Sequence, residues 1–324
     1  MTKPFQFGVM CSLGASASEV KEKARKLESL GYYSILYNDH YAGPGRAMEE
    51  SNHAPQPVAS IPAVVVAAEA TGTLQVGFRV IAVDYHNPVV LAKELATIDV
   101  FSEGRLEIGL GAGWIVKEYE AMGIPFDSPG VRIARLGEVI DVIRACMGDG
   151  PVDVNGKHGV SASGFEGSPK PVQGPCPPIA VGGGGRKVLE LAARQADIVA
   201  FNVNNRAGKI SSDGTQESTA ALTLEKIDWV RQAAGERWDD ICLEIGAYFT
   251  SVTNDARAVA ETFTGYFGLP SGDVLEHPHA LLGSVDSICD ILEERRERYG
   301  FSYVTVLDHV ADEFAPVVER MAGK

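Results

Sequence analysis

The sequence predicts a single (β/α)8 barrel, the TIM-barrel fold, over residues 1–324. Short apolar segments alternate with longer amphipathic segments almost from one end of the chain to the other. Eight of the apolar segments have the length of strands, and each is followed by a segment with helical periodicity. The composition does not change between the two halves, so nothing divides the chain into separate domains. A doubly wound sheet is the alternative, because the number of strands depends on where their boundaries are drawn.

The predicted strands are apolar runs that end in polar or glycine-rich loops. Seven of them cover residues 5–11, 34–37, 74–83, 179–181, 197–201, 241–249 and 303–307. The fourth in order follows a tight turn at Gly104 and ends in the loop Gly111–Gly113. Glycines in such a loop let backbone N–H groups approach a flat or anionic ligand closely.

The predicted helices show recognisable ends and apolar stripes. The first helix ends at Gly31, a residue suited to a helix C-terminus. Asn87 followed by Pro88 is a helix-start signal, and Ser128 followed by Pro129 repeats it. The helix after Pro129 places apolar side chains at helical spacing, at Ile133, Leu136, Ile140, Ile143 and Met147.

Two segments, residues 149–178 and 268–283, lack a helical period and mix prolines with small residues. We interpret them as insertions, the first as a loop or hairpin. We expect both to overhang the barrel mouth and to shape the substrate pocket, since long irregular segments in a compact barrel are usually lids or binding loops. A surface excursion on the far face, or an oligomer contact, is the alternative.

The composition excludes several classes of partner. The formal net charge of −14 argues against nucleic acid and anionic membranes, because phosphate contacts need a basic face. The five cysteines are scattered without the spacing of a zinc site or a disulfide framework, so no metal is expected. No secretory signal or membrane span is visible, which favours a cytoplasmic protein with a small-molecule substrate. We expect a homodimer.

The active site of such a barrel lies at the carboxyl ends of its strands. Polar residues or glycines follow six of the predicted strands: Asn38-Asp39-His40, Asp84-Tyr85-His86, Gly111-Ala112-Gly113-Trp114, Gly182–Gly185, Asn202 with Asn204, and Asp308-His309. Three histidines in this set lie next to or near an aspartate, and such pairs can tune a proton donor near neutral pH. The alternative is that these polar residues only cap strands or begin turns.

The four glycines Gly182, Gly183, Gly184 and Gly185 lie between a strand and the helix that begins at Arg186. Free N–H groups and the positive end of the helix dipole make this a place for a phosphate, while a tight turn needs fewer glycines. Trp114 either forms a wall for a planar ligand or packs against residues 149–178. We assign only a surface role to the histidines of the irregular loops, His53, His158, His277 and His279.

Six segments, in order and spacing, resemble the luciferase-like monooxygenase superfamily, in particular its actinobacterial branch that uses the deazaflavin coenzyme F420. They are residues 35–40, 87–96, 104–114, 178–184, 191–197 and 283–288. The resemblance implies a barrel with the cofactor lying across its mouth. It implies that Asp39 and His40 lie beside the deazaflavin ring and that a non-proline cis peptide, here Arg79–Val80, backs the ring.

The resemblance further implies that Gly111, Ala112 and Gly113 approach the cofactor and that residues 182–185 hold its phosphate. The family's sugar-phosphate dehydrogenases carry a glutamate proton donor where this chain has Trp114, and their phosphate-binding lysines have no match at residues 202–204. A glucose-6-phosphate dehydrogenase is therefore not expected. Trp114, His86, Asn202 and His309 remain candidates for the substrate pocket.

Our leading hypothesis is an F420-dependent oxidoreductase that moves a hydride between the deazaflavin and a small organic substrate, reducing a C=C or C=N bond. His40 is the expected proton donor or acceptor, oriented by Asp39. The first alternative is an FMN-dependent monooxygenase that works with a separate reductase. The second is a non-catalytic barrel that carries a flavin.

Overall fold

The computed structural model describes residues 3–12 and 14–324. Its strands are β1 (Gln6–Cys11), β2 (Ser34–Tyr37), β3 (Gln75–Phe78), β4 (Ile81–Ala82), β5 (Leu106–Gly111), β6 (Pro151–Asn155), β7 (Ser161–Glu166), β8 (Ile179–Gly183), β9 (Ile198–Phe201), β10 (Cys242–Ala247), β11 (Phe249–Val252), β12 (Ala280–Gly283) and β13 (Phe301–Leu307). Its α-helices are α1 (Ala17–Ser29), α2 (Arg46–Glu50), α3 (Ser60–Ala70), α4 (Pro88–Phe101), α5 (Val116–Met122), α6 (Pro129–Met147), α7 (Arg186–Gln195), α8 (Ser212–Gln216), α9 (Ala220–Ala234), α10 (Ala256–Phe267), α11 (Ser271–Glu276), α12 (Val285–Tyr299) and α13 (Ala311–Met321).

The main sheet closes into the predicted barrel. Its strands follow the order β3, β2, β1, β13, β10, β9, β8, β5 and β4, all paired in parallel, and β3 also pairs with β5. Because β3 and β4 are two halves of one barrel strand, the ring has eight positions and the (β/α)8 prediction is confirmed. The predicted strand 74–83 is interrupted at Arg79–Val80, where the structure has the expected non-proline cis peptide bond.

Glycines on β3 and β5 permit the close approach of these strands where the barrel closes. A Cβ atom on Gly109 would lie 1.8 Å from the carbonyl oxygen of Phe78, and one on Gly77 would lie 2.2 Å from that of Glu107. Backbone atoms cannot move aside as a flexible side chain can. These two positions therefore require glycine for steric reasons within the sheet.

Local signals in the sequence correctly located several helix ends. The Asn87 side chain accepts hydrogen bonds from the N–H groups of Val89 and Val90 at the start of α4, with Pro88 in the first turn. Gly31 has a positive φ of 79° just after α1, as expected for a residue that terminates a helix. Ser128 precedes α6 as predicted, but its side chain makes no capping hydrogen bond, so Pro129 is the effective part of that signal.

The hydrophobic core lies between the barrel and the helices around it. Outward-facing strand residues such as Ile35 and Ile108 pack against helix residues such as Leu95 and Ile140, and all four are fully buried. The barrel interior is more polar, because Ser34, Arg79, Glu107, Glu244 and Thr305 are also buried. No helix among the described residues is long and apolar enough to cross a membrane.

Residues 149–178 contain the antiparallel hairpin of β6 and β7, which confirms the hairpin interpretation. The expectation that this segment overhangs the mouth is wrong. The hairpin packs along α6, and Gln173 donates hydrogen bonds to Asp99 and to the carbonyl oxygen of Leu106 at the amino end of β5. The reason is connectivity: the segment joins the end of α6 to the start of β8, so both of its ends lie opposite the mouth, and its tip lies along the outside of α6, where Arg135 donates to the carbonyl oxygen of His158.

Residues 268–283 are more regular than predicted, since they contain α11 and β12. Strand β12 pairs with β11, which continues from the carboxyl end of β10. The His279 ring accordingly lies beside the end of β10, where its Nδ1 is 2.7 Å from the carbonyl oxygen of Gly246. This second segment therefore flanks the carboxyl side of the barrel, and its part in a substrate pocket stays a prediction.

Candidate active site

His40 lies at the end of β2, but the predicted pairing with Asp39 is wrong. The His40 Nδ1 atom is 2.7 Å from Oε2 of Glu118, a residue of α5 that no sequence pattern indicated. Adjacent residues at the end of a strand point in different directions, so neighbours in sequence are poorly placed to bond each other. Within the described part of the chain, Nε2 of His40 makes no hydrogen bond to protein.

Glu118 is fully buried and accepts hydrogen bonds with both carboxylate oxygens. Its Oε1 atom accepts from the backbone N–H groups of Tyr41 at 2.7 Å and Ala42 at 3.0 Å. Its Oε2 atom accepts from the Tyr85 hydroxyl at 3.1 Å as well as contacting His40. Burial opposes ionisation, yet the bond to His40 and the two backbone bonds outweigh it and lower the pKa of Glu118 to about 2.

Asp39 instead pairs with His86, which comes from the end of the next barrel strand. The Nε2 atom of His86 is 2.7 Å from Oδ2 of Asp39, and the Ser60 hydroxyl donates to Oδ1 at 2.8 Å. Asp84, the aspartate close to His86 in sequence, accepts hydrogen bonds from Tyr119 and Arg135. The structure therefore brings His40 and His86 to the same mouth, each with a carboxylate that sequence proximity did not identify.

His40, His53 and Trp114 form an aromatic cluster at this mouth. The rings of His40 and His53 have centroids 4.3 Å apart, and the Trp114 ring lies 6.2 Å from His40 and 5.8 Å from His53. The Trp114 ring therefore lies edge-on to both histidines at this mouth. His53 is half-buried and belongs to this cluster, and its partial burial, reinforced by the nearby His40, lowers its pKa to about 4. The loop 51–59 that carries it gave no periodic signal.

The loop after β5 has the backbone geometry that only glycine readily adopts. Gly113 has a φ of 70°, and a Cβ there would lie 1.8 Å from the Tyr119 hydroxyl oxygen. Val80, after the cis bond, lies against Gly111 and Gly182, because Cβ atoms on these glycines would be 2.6 and 3.2 Å from its methyl groups. Small residues on β5 and β8 thus leave space for the Val80 side chain.

The glycines 182–185 serve two different purposes. A Cβ on Gly183 would lie 2.2 Å from a Val188 methyl group, and one on Gly184 would lie 2.5 Å from the carbonyl oxygen of Asn202, so both are needed for packing. A Cβ on Gly185, immediately before α7, would have no atom of the described residues within 4 Å beyond its chain neighbours. The open space at the first turn of α7 therefore begins at Gly185.

A buried group of charges lies inside the barrel and was not predicted. Arg79 Nε donates to Oε1 of Glu244 at 3.0 Å, and its Nη2 lies 2.9 Å from Oε2. Burial, reinforced by the Glu244 charge, raises the pKa of the nearby Glu107 to about 8. A charged residue flanked by apolar ones in a strand, as in Leu106-Glu107-Ile108 and Leu243-Glu244-Ile245, is the sequence signal that indicates such an interior position.

Among the described residues, the remaining predicted ones make no hydrogen bond to the His40 cluster. Asn202 accepts a hydrogen bond from the Tyr248 hydroxyl at 2.8 Å, and the Tyr248 ring stacks on His279. His277 and His279 are buried, so the surface role given to them was wrong. His309 is exposed, and Asp308 beside it pairs with Lys23 and Ser12 instead. Among the residues described, no group of three potential ligands could hold a metal ion.

Comparison with known proteins assigns the family. The sequence matches the family model of the luciferase-like monooxygenases over residues 1–261, which is most of the chain. The chain belongs to the luciferase-like monooxygenase family. This confirms the resemblance drawn from the six sequence segments.

Two curated proteins illustrate the relatives of this family member. An F420-dependent glucose-6-phosphate dehydrogenase from Amycolatopsis mediterranei (strain U-32) is 32% identical over 182 residues, covering 55% of this chain and 51% of that protein. An FMNH2-dependent dimethylsulfone monooxygenase from Pseudomonas putida is 34% identical over 138 residues, covering 42% of this chain and 37% of that protein. The chain thus spans about half, or less, of the length of these relatives.

Solved structures agree with the barrel over almost the whole chain. The coenzyme F420-dependent tetrahydromethanopterin reductase from Methanopyrus kandleri matches with a TM-score of 0.74 at 19% identity and covers 98% of both chains. A long-chain alkane monooxygenase matches with a TM-score of 0.75 at 13% identity, over 99% of this chain and 91% of that one. At these identities the likeness concerns the fold alone.

The pKa of Glu118 predicts how acid affects this luciferase-like barrel. A carboxylate whose pKa is lower in the folded than in the unfolded protein stabilises the fold above its unfolded pKa and loses that effect as the pH falls. For Glu118 this pH range runs from 4.5, the ordinary pKa of a glutamate, down to about 2. Urea unfolding of the wild-type protein and of Glu118→Gln should therefore show a difference in free energy of unfolding that shrinks through this window. A difference in free energy of unfolding that does not change with pH would contradict the lowered pKa of Glu118.

Proposed function

We propose that the protein is an oxidoreductase that uses the deazaflavin coenzyme F420 to move a hydride to or from a small organic substrate. The observation that carries this proposal is the arrangement of His40. A buried carboxylate holds one ring nitrogen at 2.7 Å, and the other makes no bond to the described residues at the barrel mouth. That is how a proton donor or acceptor is held for use. The name of the Amycolatopsis relative gives independent support for the cofactor.

The residues at the mouth fit a flat cofactor with an anionic tail. Val80, flanked by Gly111 and Gly182, offers an apolar surface for a ring. At the other side, Gly185 leaves the first turn of α7 open, and the next two side chains, Arg186 and Lys187, are exposed cations. The N–H groups of a first helical turn and the helix dipole favour a phosphate there.

We propose that the physiological reaction reduces a C=C or C=N bond. When bound, the reduced deazaflavin supplies the hydride, and its two-electron oxidation balances the reduction of the substrate. His40 supplies the proton from Nε2 to the other atom of the double bond and regains one from water. We propose that Asp39 and His86, which are bonded to each other at the same mouth, form the neighbouring polar wall of the substrate pocket. We do not propose a sugar-phosphate substrate, because Trp114 stands at the position of that group's glutamate.

An FMN-dependent monooxygenase is the second candidate, and the dimethylsulfone monooxygenase relative favours it. The residues that would hold the ring and the phosphate serve either cofactor. The two candidates differ in which cofactor binds tightly. They also differ in whether the reduced protein consumes oxygen.

Replacing Gly185 tests the cofactor site. Gly185→Asp places a negative charge at the first turn of α7, where the added side chain has space, so repulsion of a phosphate should weaken deazaflavin binding at least about tenfold, or about 1.4 kcal/mol. Gly185→Asn is the matched control, because it has nearly the same shape without the charge and both residues are good helix caps. Binding is measured by fluorescence titration of oxidised deazaflavin and, separately, FMN.

Equal affinities of the two Gly185 variants would contradict the phosphate placement. Tight binding of FMN with no binding of deazaflavin would instead support the monooxygenase candidate. If neither cofactor binds the wild-type protein, the proposed function itself is wrong.

Replacing His40 tests the proton transfer. We expect His40→Ala to lower kcat by about 10² or more, the usual scale of general acid–base catalysis, and to change the deazaflavin affinity by only a few-fold. Stopped-flow oxidation of the reduced cofactor by unsaturated test substrates gives the rate. His158→Ala is the control, since His158 lies on the hairpin tip and its ring pairs with Glu138 of α6. An unchanged rate in His40→Ala would transfer the role to Asp84, His86 or His309.

We propose further that the protein is a homodimer that associates through α4. An apolar groove of about 630 Å³ lies on this side of the barrel, away from the mouth, between α3, α4 and the end of the hairpin. Phe101, at the end of α4, is 62% exposed on its rim, and Val90 is 55% exposed. A projecting aromatic side chain beside a groove is a self-complementary surface, so two copies can each fill the groove of the other about a twofold axis.

The dimer proposal predicts that Phe101→Glu yields a monomer, because it would place a charge in the apolar interface. Light scattering after size-exclusion chromatography measures the mass. Leu222→Glu, at another partly exposed apolar residue outside the groove, should leave the dimer intact. A wild-type monomer, or a dimer unaffected by Phe101→Glu, would contradict this interface.

A further inference from the structure

We propose that Glu118 is a positioning residue that holds a proton on Nδ1 of His40 and so makes Nε2 the atom that exchanges protons with the substrate. The tautomer of the His40 ring is inferred from hydrogen-bond geometry alone. Its catalytic consequence rests on the proposed function. Separate experiments therefore test the tautomer and the catalysis.

The first step is that Glu118 acts only as an acceptor. Oε1 faces two backbone N–H groups, those of Tyr41 and Ala42, and these can only donate. Oε2 faces the Tyr85 hydroxyl and the His40 ring. Because the same bonds lower the pKa of Glu118 to about 2, the group is a carboxylate at neutral pH. An ionised carboxylate has no proton to donate.

The second step concerns the ring. An atom bonded at 2.7 Å to a group that only accepts must be the donor, so Nδ1 of His40 carries a proton in both the neutral and the charged ring. Nε2 is then the only nitrogen whose protonation changes. The neutral ring can take a proton from the substrate at Nε2, and the charged ring can return one. The same tautomer thus serves oxidation and reduction.

The third step is that His53 does not duplicate this role. Its Nδ1 lies 2.7 Å from the carbonyl oxygen of Ala54, which makes that nitrogen a donor. Its burial lowers its pKa to about 4, so the ring is neutral near pH 7. The two histidines, 4.3 Å apart, therefore differ: His40 has a carboxylate partner to stabilise a positive charge, and His53 has none among the described residues.

The substitution Glu118→Gln reverses the tautomer with little change in shape. The amide oxygen can keep the two backbone donors, which turns the amide nitrogen toward His40. That nitrogen donates, so Nδ1 of His40 must accept and the proton moves to Nε2. The ring can then no longer carry a proton on both nitrogens while keeping this bond, and proton transfer through Nε2 is blocked in both directions. Loss of the correct tautomer in a serine protease triad lowers kcat by about 10⁴.

Nitrogen-15 NMR of histidine-labelled protein, without cofactor, tests the tautomer directly. In the wild-type protein at a pH where the ring is neutral, the His40 signals should show a proton on Nδ1, and a His40→Gln variant identifies those signals. In Glu118→Gln the proton should appear on Nε2. Glu120→Gln is the matched control, because it makes the same change at an exposed position of α5 and should leave the pattern unchanged. A wild-type ring protonated on Nε2 alone would overturn the proposal even if Glu118→Gln fails to fold.

Kinetics with the cofactor test the catalytic consequence. We expect Glu118→Gln to lower kcat at least about 10²-fold while KM and the deazaflavin affinity change less than about threefold. A merely structural role would instead change the deazaflavin affinity and KM along with kcat. A reversed tautomer with unchanged kcat would show that His40 is not positioned for proton transfer. If the wild-type protein binds no deazaflavin, the proposed function fails and the NMR result still decides the tautomer.

Discussion

One buried carboxylate, Glu118, connects the loops that form the mouth of this barrel. From α5, which follows β5, it accepts hydrogen bonds from the loop after β2 and from Tyr85 after β4. Removing one partner from such a group leaves buried donors unsatisfied, at a cost of about 1–3 kcal/mol for each group. The orientation of His40 thus depends on the same interaction that holds these three loops together.

The interior below the mouth carries charge that must be compensated within the barrel. Arg79 and Glu244 pair at 2.9–3.0 Å, and both are buried. Glu107 lies in the same interior, where burial and the nearby Glu244 charge raise its pKa to about 8 and favour its neutral form. A buried pair of this kind is weak evidence for stability, because desolvation opposes the attraction. The pair does link Arg79, between β3 and β4, to Glu244 on β10.

Family membership and the details of the site answer different questions. The match over residues 1–261 and the agreement with distant structures establish the barrel and the family. The family includes relatives named for deazaflavin and for flavin chemistry, so membership alone does not select the cofactor. The chain's own features at the mouth, His40 with Glu118, Trp114 beside two histidines, and Gly185 before α7, are the positions at which we propose that cofactor and substrate are selected.

The sequence by itself determined the properties that depend on neighbouring residues along the chain. Asn87 caps α4 through bonds to residues two and three positions on, and the apolar period of α6 follows from the helical repeat. The eight barrel strands were predictable in the same way, as were the strand ends that carry His40 and the glycine loops. All of these are local patterns, and barrel topology adds only the rule that strand ends meet at one face.

Tertiary structure decided every pairing that joins distant segments. His40 pairs with Glu118 across 78 residues and Asp39 with His86 across 47, although each has a titratable neighbour next to it in sequence. Gly183 packs against Val188 and Gly184 against the residues that follow β9, while Gly185 has open space around it. The run of four glycines in the sequence does not distinguish these positions. Segment 149–178 joins the end of α6 to the start of β8, so both of its ends lie opposite the mouth. Side-chain partners are set by how strands and helices are packed against each other, and that information is not contained in the spacing of residues along one segment.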